Sequence, residues 1–219
     1  SSFWEQGAEV WDSVHTVGLR SHYVASCFAV PLMKKTKLLG GCGVPRPFIA
    51  MVSSFGGLIY TFNVAYGVGK AGVDRLAKDM AVELKKEDIC VCSFWPGVVM
   101  TERMKEKVES GEWDDVVGIP VDNAETPAYT GRGILAVAKD GGNMKKTGSI
   151  QIVAELATEY GFVDENGRRP PSIRSLKFLL PGYALGDGLR EVVPDWAIPD
   201  WKVPLSIMAG GRPDENAKI

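Results

Sequence analysis

The sequence predicts an α/β fold built on a parallel sheet, and three observations carry that prediction. Two apolar runs of strand length, Pro47–Ser54 and Ile89–Trp95, flank a stretch whose apolar residues fall at 73, 76, 77, 80, 81 and 84, a helical spacing. A third short run, Gly148–Val153, follows another helical segment. Strands that alternate with helices are joined by crossover connections, and a sheet so made is parallel, with its ligand-binding edge at the strand C-termini.

The elements follow in order. Trp4 to about Lys35 reads as a long helix, with Val10, Val14, Val17, Val24 and Phe28 spaced by threes and fours as a core or subunit-interface stripe. His15 and His22 lie on it seven positions apart and are expected at a surface or interface. Lys34 to Pro47 is a basic, Gly-rich connection to the first strand, which ends in two hydroxyls, Ser53 and Ser54. Tyr66-Gly67-Val68-Gly69-Lys70 then opens the second helix, twelve residues after Ser54. The strand at Ile89–Trp95 runs into Pro96-Gly97-Val98-Val99-Met100-Thr101. Residues 102 to 123 are charged and are expected to form a mobile lid. Thr126-Pro127 starts a helix with proline in its first turn, and that helix runs to Asp140 before the last strand.

The chemistry concentrates at Tyr66 and Lys70. Four positions apart on a helix, they share a face, so the ammonium can sit beneath the phenol oxygen. A free tyrosine titrates near ~10; acid–base work near neutrality needs a shift of about three units, roughly 4 kcal/mol. One positive charge at ~4 Å supplies up to that order at an intermediate dielectric. A Tyr-x-x-x-Lys spacing alone is common, and its bland reading is a surface tyrosine beside a solvated lysine. The flanking order (strand, Ser-Ser, Tyr and Lys on a helix, strand, Pro-Gly-x-x-x-Thr) makes it specific.

That order resembles the second half of a short-chain dehydrogenase/reductase. The matching pieces are Ser54, Tyr66, Lys70 and the Pro96-Gly97-x-x-x-Thr101 loop. Further similarity at Phe3-Trp4-Glu5, Val17-Gly18-Leu19-Arg20, Phe62–Lys70 and Glu159-Tyr160-Gly161 points to the family-member-1 type within that family. The resemblance implies the C-terminal portion of a Rossmann-like doubly wound parallel sheet and an NAD(P)-dependent carbonyl reductase or alcohol dehydrogenase. It makes Tyr66 the proton donor or acceptor and Lys70 the residue that lowers the tyrosine pKa and holds the nicotinamide ribose. Ser54 orients the substrate oxygen, with Ser53 open as the alternative. Pro96 and Gly97 shape the cofactor loop. Val98 meets the nicotinamide carboxamide through its backbone, and Thr101 holds that carboxamide or the pyrophosphate. The cofactor is NADP or NAD, with NADP favoured; the implied substrate is a small lipophilic carbonyl or alcohol. A second copy of the chain is the expected partner.

Two departures qualify the resemblance. Where the family has an asparagine that completes a proton relay through water, this chain has Gly18, which reads as a modified relay in a widened helix turn. No Gly-rich phosphate loop follows a first strand, and neither Gly40-Gly41-Cys42-Gly43 nor Gly210-Gly211 stands at a helix N-terminus where it would serve. The reading is therefore an N-terminally truncated molecule, the first half of its fold missing, and NAD cannot be told from NADP by its usual discriminating residue. The alternative function is a non-catalytic binding or regulatory module of the same family.

Composition narrows the classes. At 219 residues and 45% hydrophobic content the chain can bury a sizeable core. A net charge of −2 gives no general attraction to nucleic acid, and no apolar run approaches the ~20 residues of a membrane span. Four cysteines, at 27, 42, 90 and 92, with only two histidines, predict reduced thiols rather than a metal site, and an intracellular setting, in the cytoplasm or on the cytoplasmic face of an internal membrane. The expected division is a domain over 1–165 and an extension over 166–219. In that extension Arg168, Arg169, Arg174 and Lys177 cluster without a neighbouring acid, and Pro194-Asp195-Trp196 nearly repeats as Pro199-Asp200-Trp201. A basic amphipathic helix there would pack on the protein or touch a membrane surface; proline every fifth residue demands an extended path.

Overall fold

The computed structural model describes residues 2–39, 46–113, 117–181 and 193–208. The Gly40–Gly43 loop with Cys42, Val116 and the Gly210-Gly211 pair lie outside the described residues. The chain forms two compact units. One comprises the described residues up to Trp95 together with Leu135–Gln151; the other comprises Pro96–Ile134 and Ile152–Met208.

In the first unit, a 3-10 turn at Phe3–Glu5 leads to α1 (Ala8–His15), a π-helical turn (Thr16–Arg20) and α2 (Ser21–Leu39). The single helix expected from Trp4 to Lys35 is thus widened around Gly18, a weak helix former. Strand β1 (Phe48–Val52) and helix α3 (Val64–Leu84) come next, then β2 (Cys90–Trp95). The β1 and β2 strands pair in parallel, with Ala50 opposite Cys92 and Val52 opposite Phe94. All six residues of β2 are buried, as a central strand requires. On its other side lies β3 (Ile150–Ile152), giving the sheet order β1-β2-β3.

Helix α3 is well specified. Asn63 caps it, its Oδ1 accepting the Tyr66 N–H at 2.8 Å. Its buried stripe is Ala65, Gly69, Val73, Ala77, Ala81 and Leu84, and the chain turns out of the short 3-10 extension Lys85–Glu87 through Asp88 at φ 54°. Val73, Ala77, Ala81 and Leu84 pack with Met51, Ile89 and Val91 as the core, with Leu19, Val30 and Met33 against it. Cys90 and Cys92 carry free thiols 3.7 Å apart in this buried layer, and Cys27 is exposed.

The second unit contains α4 (Glu102–Glu109), α5 (Pro127–Lys139, which runs on into the first unit), α6 (Val153–Tyr160), α7 (Leu176–Leu179) and α8 (Leu205–Met208). Tyr129 packs with Val153, Ala157 and Phe162. The basic cluster of the extension finds its acids far away in sequence: Arg174 forks onto Glu155 through Nε and Nη2, each at 2.8 Å, and Arg168 pairs with Asp122 at 2.5 Å. The basic helix expected there is only four residues long. The proline-rich tail is extended where Ser175 and Lys202 bridge antiparallel, but it turns as a 3-10 helix at Asp195–Ala197. Among the described residues no helix is long and apolar enough to cross a membrane, and no group of three His, Cys, Asp or Glu could hold a metal ion.

Candidate active site

Of the expected site residues the first unit holds Ser54, Tyr66 and Lys70, the last two on one helix stripe. Tyr66, Lys70 and Asp74 follow at intervals of four on α3, so a phenol, an ammonium and a carboxylate line one face. Lys70 Nζ stands 5.7 Å from the centre of the Tyr66 ring and donates to the Val52 carbonyl, 3.3 Å away at the end of β1. Its remaining N–H donors have no hydrogen-bond partner among the described residues. Burial lowers the Lys70 pKa, and Asp74 partly offsets that.

Asp74 is a neighbour of Lys70 that sequence reasoning missed. Ser93 Oγ donates to its Oδ1 at 2.5 Å, and the Trp95 indole N–H reaches Oδ1 at 3.0 Å and Oδ2 at 3.1 Å. Burial raises its pKa; the Ser93 and Trp95 hydrogen bonds and the Lys70 charge pull the other way. An acid in mid-helix reads as solvated, and only its spacing from Lys70 could have marked it.

The two hydroxyls after β1 separate cleanly. Ser53 is buried and donates to the Lys70 carbonyl at 3.0 Å. Ser54 caps the 3-10 turn Phe55–Gly57, its Oγ accepting the Gly56 N–H at 3.1 Å, which leaves its own proton available to donate. That turn lies hard against α3. A Cβ on Gly56 would stand 2.7 Å from Tyr66 Cε1, and one on Gly57 would stand 2.6 Å from the Ala71 nitrogen. On the other flank Phe62, at φ 60°, meets the Tyr66 ring edge to face with centroids 5.0 Å apart. A bulky residue in the left-handed region is uncommon and marks a constrained corner.

Neither histidine is a plain surface residue. His15 Nε2 pairs with the Ala65 carbonyl at 2.8 Å, one residue before Tyr66, and its ring meets Trp11 edge to face. His22 is half-buried; burial first, and then the Lys70 charge, lower its pKa. It lies one turn beyond Gly18, where an added Cβ would meet nothing within 4 Å.

Pro96, Gly97, Val98 and Thr101 belong to the second unit. Gly97 donates its N–H to Glu125 Oε1, and a Cβ on it would stand 2.7 Å from that oxygen. The Val98 carbonyl accepts the Glu125 N–H at 2.8 Å. Thr101 caps α4, its Oγ1 accepting the Met104 N–H at 3.4 Å. Glu125, absent from the sequence reading, is 1% exposed. Burial and, less strongly, Asp164 push its pKa up to about 8 against the pull of the Gly97 N–H.

The short chain dehydrogenase family model matches residues 1–112. Dehydrogenase/reductase SDR family member 1 of Mus musculus is 36% identical over 213 residues, which cover 93% of this chain and 64% of that protein. The chain thus spans just under two thirds of that curated relative. Among solved structures, ElxO with NADP bound superposes with a TM-score of 0.59 at 24% identity, covering 70% of this chain and 60% of its own. A 4-hydroxyisoleucine dehydrogenase mutant complexed with NADH and succinate gives a TM-score of 0.59 at 22% identity, covering 69% and 60%. At those identities the likeness speaks for the Rossmann-like fold.

Proposed function

The chain belongs to the short chain dehydrogenase family, and from that premise we propose that the complete protein interconverts a carbonyl and an alcohol by hydride transfer, with Tyr66 as general acid/base. The stripe of Tyr66, Lys70 and Asp74 at the end of β1 carries this reading. When bound, a nicotinamide dinucleotide supplies or accepts the hydride. In the direction of reduction the Tyr66 hydroxyl gives its proton to the substrate oxygen as that oxygen gains charge. The Ser54 hydroxyl, already polarised by the Gly56 N–H, donates to the same oxygen. The Lys70 ammonium stabilises the tyrosinate left behind, and Asp74 keeps Lys70 charged against its burial.

The donor set fits a nicotinamide nucleotide. Lys70 has N–H groups to spare for a ribose diol; the family resemblance assigns the Pro96–Thr101 loop to the same cofactor. Structures with NADP and with NADH share the fold; we favour NADP from the family resemblance, and a lipophilic carbonyl as substrate.

Carbonyl-dependent oxidation of NADPH by the complete protein and by its Tyr66→Phe variant tests the reading. We expect turnover to fall by about 10²-fold or more with nucleotide binding retained. Equal turnover in the variant would remove Tyr66 from the chemistry, and nucleotide binding without turnover in the unaltered protein would favour a regulatory module.

A further inference from the structure

Within the Pro96–Thr101 loop, residues 97 to 100 each meet the same residue outside it. Glu125 stands 28 positions beyond Gly97, just before α5. Its side chain takes the Gly97 N–H on Oε1. Its backbone N–H donates to the Val98 carbonyl at 2.8 Å, and its own carbonyl accepts the Met100 N–H at 2.8 Å. Val99 bridges to it in parallel register. Residues 97 through 100 are therefore all held by one partner.

The backbone contacts need no particular side chain, so the carboxyl asks for its own explanation. It is 1% exposed, and among the described residues its second oxygen, Oε2, has no hydrogen-bond partner. Buried polar atoms without partners are rare, because each forfeits its hydration. The groups around it offer no help. Asp164 is itself negative, and its two oxygens are engaged by the Thr126 N–H at 2.8 Å and the Thr126 hydroxyl at 2.5 Å. Tyr129, one turn into α5, has a buried hydroxyl that is also unpartnered. Burial, with Glu125 and Asp164 adding to it, raises the Tyr129 pKa, so that hydroxyl stays neutral; Arg169 opposes this at Tyr129. Among the described residues no cation acts on Glu125 itself, and burial, with Asp164 adding to it, raises its pKa to about 8. A neutral carboxyl can sit there with Oε1 accepting from Gly97. An anion would leave a bare charge on Oε2 in a dry site, repelled by Asp164.

We propose that Glu125 is a positioning residue for the cofactor loop and a protonation switch upon it: the neutral acid holds Gly97 in register, and the anion, forced out of the buried site by its own desolvation and by Asp164, gives up its place beside Gly97 and loosens the Gly97–Met100 segment. The cofactor half of this statement rests on the reading of Pro96–Thr101 given above; the switch itself does not. Its test is therefore made first without nucleotide. Amide hydrogen exchange of Gly97 and Met100, corrected for the intrinsic effect of pH, is followed from pH 6 to 9 in the unaltered chain and in Glu125→Gln. The amide variant keeps the shape and an acceptor for Gly97 but cannot ionise. Since the anion outnumbers the acid about tenfold one unit above the pKa, protection should fall by about tenfold between pH 7 and pH 9 in the unaltered chain. It should stay constant in Glu125→Gln, and the Val91 amide of β2 should hold its protection in both. Constant protection in the unaltered chain, or the same loss in the variant, overturns the switch. NADPH affinity of the complete protein over the same range forms the second arm. An affinity that weakens about tenfold in parallel, and not in the variant, supports the role toward the cofactor. Exchange that behaves as expected while affinity does not follow overturns that role and leaves only the loop clamp.

Discussion

At the scale of single residues, titratable groups that sequence reading passes over surround the ones it finds. Tyr66 and Lys70 are legible because the helix period is strict, whereas Asp74 and His22 are ordinary polar residues until the fold buries them beside Lys70. The Lys70–His22 coupling has a direct consequence. Lys70→Met should raise the His22 pKa toward its ordinary value, since the repulsion vanishes while the burial stays. An imidazole titration by NMR reads this, and an unmoved titration would mean the two do not face each other. Glu125 gives a stability prediction with a defined sign. Its pKa rises on folding from 4.5 to about 8, so its contribution is fully present below the unfolded value and is lost as pH climbs through the folded one. The difference of about 3.5 units, at 1.36 kcal/mol each, bounds that loss at about 5 kcal/mol. Denaturant unfolding at pH 5 and pH 9 should therefore show Glu125→Gln gaining on the unaltered chain by a few kcal/mol at the higher pH. A gap that does not widen with pH refutes the buried acid.

At the scale of elements, strands and helices of the first unit were readable because their apolar periods are long and uninterrupted: β2 is buried throughout and α3 keeps one stripe for five turns. What escaped was conditional on contacts. The turn Phe55–Gly57 is short and polar-flanked, and its importance appears only when Gly56 and Gly57 are seen pressed on α3. Gly57→Ala would put a methyl 2.6 Å from the Ala71 nitrogen and 2.8 Å from the Lys70 carbonyl carbon, both backbone atoms that cannot step aside. Overpacking of that kind costs about 1–3 kcal/mol. The unfolding midpoint should drop accordingly; an unchanged midpoint would show that the turn is not held against the helix. The π-helical turn at Thr16–Arg20 was half legible: glycine announced a weak point, and the structure shows the widening there. The Arg174–Glu155 fork was not legible at all, since its partners lie 19 positions apart on either side of a loop.

At the scale of the whole molecule, the two units interleave along the chain, the first reclaiming Leu135–Gln151 after the second has begun. The sheet shows why: Gly148 donates to the Val91 carbonyl at 2.7 Å and Ser93 to that of Ser149 at 3.2 Å, so β2 depends on residues far downstream. Composition has no access to such returns of the chain. The outward sides of α2 and α3 carry Phe28 (72% exposed), Leu32 (63%) and Val82 (73%), more apolar surface than a solitary helix pair needs. We expect the complete protein to run in light scattering as a dimer or larger, burying these residues against a second copy; a monomeric mass would end that expectation.

The glycines of α3 have a last consequence, for anyone who would make this protein hardier. Replacing helical glycine with alanine is a standard route to thermostability, worth about 0.5–1 kcal/mol a site. Along α3 that gain must be set against crowding, because each neighbour would have to give way by a few tenths of an ångström. An added methyl would press to 3.1 Å of the His15 ring at Gly69, to 3.0 Å of Leu19 at Gly72 and to 3.2 Å of the Gly56 carbonyl at Gly67. Gly131 in α5, where the methyl would meet nothing within 4 Å, leaves the route open. Heat tolerance is more readily engineered at Gly131 than in the helix that bears Tyr66, where a methyl must first find room.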